Sequence, residues 1–143
     1  MYAHTLKKVE RLDRKKVIGK MFTSGSGARS FTVFPFRVVY LTEPELKSQA
    51  SVLISVSKRY FKHAVDRNRV KRQLREAYRL NKHILLDLLA KRNEKMAVSF
   101  IYLSNDLMPT GFIMKRMKIA LEKMLEKMAM EHPNTEVHEE GVV

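Results

Sequence analysis

Cysteine and tryptophan are absent from this 143-residue chain, and glycine and proline are scarce, with five and four copies. Without cysteine there is no disulfide framework, no thiol nucleophile and no cysteine-ligated zinc site, which suits a reducing compartment. No phosphate-cradling Gly-rich loop is present. No segment approaches the ~20 consecutive apolar residues of a membrane span, and the opening "MYAHTLKKVERL" lacks the apolar core of a secretion signal. The expected location is therefore the cytoplasm, with no membrane partner. Acidic residues are also in short supply: 15 against 28 Lys and Arg, for a net charge of +13 and a pI near 10.1. Such a surplus points to an anionic partner, nucleic acid before an acidic membrane surface.

The few acids are unevenly placed. Residues 131–143, "EHPNTEVHEEGVV", hold four of them and no Lys or Arg, which leaves +17 on residues 1–130. The expected organisation is one basic domain over residues 1–130 and an acidic, disordered tail over 131–143.

Along the domain, "DRKKVIGKMFT" opens with a candidate N-cap at Asp13 and brings Val17, Ile18, Met21 and Phe22 onto one helical face. Gly25 or Gly27 in the following "SGSGARS" is placed to end that helix. "SFTVFPFRVVYL" has strand composition, with Pro35 forcing a break or an edge inside it. "ASVLISVSK" alternates, Val52, Ile54 and Val56 on one face and Leu53, Ser55 and Ser57 on the other. A basic helix follows, then an apolar-faced helix in "NKHILLDLLAKRN". "KMAVSFIYLS" is apolar on both faces, as a central strand is. From Thr110 a long amphipathic helix carries the stripe Ile113, Met117, Ala120, Met124 and Met128. The order implies an α+β fold, a two-layer sandwich of about four strands with helices packed on the sheet.

The basic helix carries the most information. In "DRNRVKRQLREAYR", residues 66–79, six positions are Arg or Lys, yet Val70, Leu74, Ala77 and Tyr78 share one face. On a helical wheel Lys71, Arg75, Asn68, Arg79 and Arg72 form an adjoining polar stripe roughly 100° wide. Lys71–Arg75 and Arg75–Arg79 are like-charged i,i+4 pairs, each costing a few tenths of a kcal/mol in an isolated helix. A helix needing only solubility would alternate Glu with Lys, as "EKMLEK" at 122–127 does. Phosphates bound along the stripe explain the lopsided charge better, and the dominance of Arg suits bidentate grip on phosphate. Asp66 and Glu76 are the local counter-charges.

Catalytic chemistry is not legible. A metal-dependent nuclease needs clustered carboxylates, whereas Asp66, Glu76, Asp87, Glu94 and Asp106 are dispersed and the five histidines show no ligand spacing. No catalytic residue and no protein-bound metal is expected.

At the basic helix the sequence resembles the protein component of bacterial ribonuclease P. The carrying motif is Arg67-Asn68-Arg69 continuing through "VKRQLREAYR", preceded by "ISVSKRYFKHAV" and, near the start, by "RLDRKKVIGKMFTSG". The resemblance covers residues 6–128. It implies a subunit that binds a catalytic RNA and assists removal of the 5′ leader from precursor tRNA, with Mg2+ used by the RNA and hydrolysis performed there. The implied partners are the RNA subunit and precursor tRNA, with no obligate protein partner. The implied RNA-subunit contacts are Arg67, Asn68, Arg69, Lys71, Arg72 and Arg75. The implied leader cleft, between the first helix and the open sheet face, takes in Ile18, Phe22, Phe34, Phe36, Lys58 and Arg59, with Ile18 standing where an aromatic is usual. A left-handed βαβ crossover through the basic helix is implied as well, against the general right-handed rule. The rival reading is a ribosomal or other structural RNA-binding protein without a processing role.

Overall fold

The computed structural model describes residues 15–22 and 27–131. In chain order the elements are α1 (Lys15–Met21), β1 (Arg29–Val33), β2 (Phe36–Thr42), β3 (Ala50–Val56), α2 (Ala64–Asn81), α3 (His83–Arg92), β4 (Met96–Tyr102) and α4 (Thr110–Glu131). The candidate cap Asp13, Gly25 and residues 132–143 of the expected tail lie outside the described residues, and Glu131 is the last residue of α4. Gly27 adopts φ +88, a left-handed conformation that suits glycine, on the way into β1.

The strands form one sheet in the order β1-β2-β4-β3. β1 and β2 are an antiparallel hairpin turning at Phe34 and Pro35, whose peptide bond is cis. The proline falls in the turn because it has no N–H to give the ladder. Its carbonyl instead accepts the Leu103 N–H at 2.8 Å, tying the turn to the end of β4. β2 pairs antiparallel with β4, and β3 pairs parallel with β4. A parallel pair needs a crossover, and α2 and α3 supply it. The apolar β4 is thus central, as its composition requires.

The pleat sends alternate residues to opposite faces. Phe31, Val33, Phe36, Val38, Val52, Ile54, Val98, Phe100 and Tyr102 face α2, α3 and α4 and form the main core. Into it α2 inserts Val70, Leu74, Ala77 and Tyr78, α3 inserts Leu85 and Leu89, and α4 inserts Ile113, Met117, Ala120, Leu121 and Met124. Asn93 ends α3 in the left-handed conformation (φ 53), its N–H meeting the Ala90 carbonyl.

On the other face Met21 of α1 packs with Val39, Leu46 and Ala97, flanked by Ile18, Leu41, Leu53 and Ile101. A short helix thus covers part of the face that a strict two-layer sandwich would leave bare. Lys20 fixes its end through an ion pair with the buried carboxylate of Glu43 at 3.2 Å.

Candidate nucleic-acid interface

Burial of Val70, Leu74, Ala77 and Tyr78 orients α2 and so decides where its cations point. Asn68, Arg69 and Arg72 are exposed, and Lys71 and Arg75 are half-buried along their stems. Long basic side chains can lay their methylenes on the core while the charged ends stay in water. Gln73, which the sequence reading passed over, borders the apolar stripe on the side opposite Lys71 and Arg75. It is buried, and its Nε2 donates to the Met108 carbonyl at 3.0 Å and to Thr110 Oγ1 at 3.1 Å, at the entrance to α4. The cationic stripe therefore faces away from α4, on the β3 side of the helix layer.

Two of the basic residues have other attachments. Arg67 directs Nη1 to the carbonyls of Phe61 (2.8 Å) and Lys62 (2.9 Å), so it clamps the β3–α2 connection onto the first turn of α2. Arg79 binds Glu76 three residues back, Nε donating to Oε2 at 3.0 Å and Nη2 to Oε1. That hydrogen bond holds the Glu76 carboxyl below its ordinary pKa and raises that of Arg79. Arg79 is thus partly neutralised, and the least encumbered cations are Arg69, Lys71, Arg72 and Arg75.

The connection before α2 carries Lys58 and Arg59, both exposed. The Arg59 N–H bonds to Ser57 Oγ at 3.0 Å, and its guanidinium carbon lies 6.0 Å from the Tyr60 ring centroid. The same end of the sheet holds Tyr102, whose hydroxyl donates to the Asp106 carbonyl at 2.7 Å. Burial first, and the nearby Asp106 charge second, push its pKa up to about 12, with Ser104 and then Arg69 opposing.

The aromatic residues divide. Phe22, at the end of α1, and Phe34, at the hairpin tip, are each 52% exposed. Phe36 is 0% exposed, and this corrects its expected place in the cleft. After the Phe34–Pro35 turn the pleat directs Phe36 to the helix side, where it meets Phe100 edge-on with ring centroids 5.9 Å apart. Ile18 is partly buried against the Met21 cluster. The hairpin tip is also held from the helix side, because Arg116 Nε of α4 donates to the Phe34 carbonyl at 2.6 Å.

Beyond α1 the second sheet face presents Leu53, Ser55 and Ile101, all half-buried, with exposed Arg37 donating to Ser30 Oγ at 3.2 Å. Arg37 and Ile101 were missed in the sequence. Strand alternation opposite Phe36 and Phe100 was the signal that would have found them. Ser99, buried in the middle of this face, has no partner for its hydroxyl. Among the described residues no three His, Asp or Glu side chains gather as a metal ion would require, and no helix is long and apolar enough to cross a membrane.

The interface is therefore a basic helix flank beside a half-open, partly apolar sheet face with exposed rings at its margins. The Ribonuclease P family model matches residues 6–128. The "Ribonuclease P protein component" of Porphyromonas gingivalis is 40% identical over 136 residues, covering 94% of both chains. That of Chlorobium phaeobacteroides is 34% identical over 98 residues, 68% of this chain and 67% of its own. The RNase P protein of Staphylococcus aureus superposes with a TM-score of 0.63 over 80% of this chain and 94% of that one, at 21% identity, a likeness of fold. With the family pattern spanning most of its length on the matching α+β fold, this chain belongs to the ribonuclease P protein family.

Proposed function

We propose that this protein acts in tRNA 5′ maturation, binding the catalytic RNA of ribonuclease P along α2 and the 5′ leader of precursor tRNA on the second sheet face. The observation that carries the reading is the orientation of α2. Leu74 and Tyr78 are fully buried, so Lys71, Arg72 and Arg75 are presented together on the flank away from α4, with exposed Arg69 on the outer side of the helix next to Gln73. Clustered Arg and Lys neutralise phosphates and release counterions, which supplies most of the affinity for structured RNA. Arg67 assists by fixing the connection that leads into the helix. Phe22 and Phe34, exposed beside this face, supply rings for stacking unpaired leader bases, and Lys58 and Arg59 supply charge for their phosphates. Mg2+ and the hydrolytic step belong to the RNA in this reading, and the working compartment is the cytoplasm.

The test is reconstitution. Added to its cognate ribonuclease P RNA at low Mg2+, the protein should restore precursor-tRNA cleavage and shift the RNA to a protein-bound form. A protein that binds structured RNA yet never restores cleavage overturns the processing role.

A further inference from the structure

The α2 stripe accounts for little of the molecule's charge, since α2 carries six cations and two acids while residues 1–130 hold +17. A second concentration lies on the opposite edge of the helix layer. Lys123 and Lys127 of α4 both reach over the ring of Phe31 on β1, their ammonium nitrogens 5.6 and 5.7 Å from its centroid. Two turns earlier along α4 Arg116 is anchored to the Phe34 carbonyl. Arg29 is exposed two residues back from Phe31 on the same strand face.

The letters "EKMLEK" suggest alternating charge, but the helix sorts them. Glu122 and Glu126 stand four apart on one flank, and Lys123 and Lys127 stand four apart on the next. Among the described residues neither lysine has a carboxylate within ion-pair distance. Like charges at i,i+4 repel, and here both are drawn to one ring with no counter-charge between them. An anion seated between the two ammonium groups relieves that repulsion. The flank continues through exposed Phe112 and Ile119, at i−4 from Arg116 and Lys123, so a ring and an aliphatic side chain interleave the cations. From Arg116 to Lys127 the row runs about 17 Å, long enough for several consecutive phosphates.

Resting on the reading above, we infer that the α4–β1 flank, through Arg116, Lys123 and Lys127, is a second RNA-binding surface, which grips the phosphodiester backbone of a segment other than the one bound by α2. The two surfaces lie on opposite edges of the β1-β2-β4-β3 sheet, because Gln73 turns the α2 stripe away from α4 while Phe31 and Phe34 draw the α4 cations toward β1. A protein with both would brace two parts of one large RNA.

The experiment uses the full chain and its cognate ribonuclease P RNA, with an unrelated structured RNA of equal length as control. Preferential binding of wild type to the cognate RNA tests the functional reading by itself, and the variants test the second surface. The double variant K123Q/K127Q should bind about ten-fold more weakly at low salt, with a log affinity against log salt slope shallower by roughly one to two. K123R/K127R should restore both, and all forms should melt alike. As the chain has no cysteine, Ile119→Cys provides a single attachment point for a hydroxyl-radical source. It should cut a segment of the RNA distinct from that cut from Asn68→Cys. Unchanged affinity and slope, or no cutting from position 119, overturns the inference. So does a truncation after Glu131 that tightens wild-type binding while K123Q/K127Q loses nothing, since the acidic C-terminal segment would then be the occupant.

Discussion

Phe22 and Phe36 carry the same side chain and are expected to fail differently. Phe36 is sealed against Phe100 in the core, so Phe36→Ala should cost about 3–5 kcal/mol of stability, measured by denaturant unfolding. Phe22 is half exposed, so Phe22→Ala should leave the unfolding midpoint nearly unchanged. It should weaken binding of the holoenzyme to precursor tRNA by roughly 1–3 kcal/mol if one base stacks there, and leave mature tRNA unaffected. Equal losses for the two RNAs would return Phe22 to a packing role. Tyr102 has a pH signature. Its folded pKa, about 12, lies above the ordinary value of 10.0, so the stabilisation is complete below pH 10 and is lost as pH rises through 12. The melting temperature of wild type should therefore fall more steeply across that window than that of Tyr102→Phe. Parallel curves would show that the hydroxyl is not held as described.

At the scale of the element, α2 joins a buried apolar face to an exposed cationic one. Leu74→Ala should destabilise the protein by roughly 2–5 kcal/mol, since Leu74 is fully buried among strand and helix side chains. Arg72→Ala or Arg75→Ala should leave stability intact and make the salt dependence of RNA binding shallower by about one unit or less each. Arg67→Ala should do something different. It removes two charge-assisted hydrogen bonds to the Phe61 and Lys62 carbonyls, so stability should drop by about 1–3 kcal/mol along with affinity. Thermal melts beside RNA titrations separate these patterns. An Arg67→Ala protein with wild-type melting and only weakened binding would assign Arg67 to phosphate alone.

For the whole molecule, the basic surface is that of a binding subunit. A charge surplus of this size suits steering and holding RNA, and among the described residues two of the acids are tied to other cations: Glu43 holds α1 through Lys20, and Glu76 pairs with Arg79. Purified, RNA-free protein should accordingly leave precursor tRNA intact in Mg2+. Turnover that persists through removal of contaminating nucleases and RNA would require a protein active site and overturn the division of labour.

Short-range periodicity made much of this legible in the sequence. The 3.6-residue spacing of Val70, Leu74, Ala77 and Tyr78 already separated the buried face of α2 from its cations, and the unbroken apolarity of "MAVSFIY" already marked a central strand. Three assignments depended on packing between distant segments. Phe34 stays exposed while Phe36 enters the core because of the pleat after the Pro35 turn, and the strand letters alone permit either register. Arg67 looked like any other cation of its helix until the β3–α2 connection placed two carbonyls within its reach. Lys123 and Lys127 read as solubilising alternation until the hairpin brought Phe31 beneath them. Helical and strand periods are properties of neighbours along the chain, so sequence determined which face of each element is apolar. Partners some ninety residues apart meet only through the sheet order, so the tertiary structure alone decided which polar groups are tied down and which stay exposed.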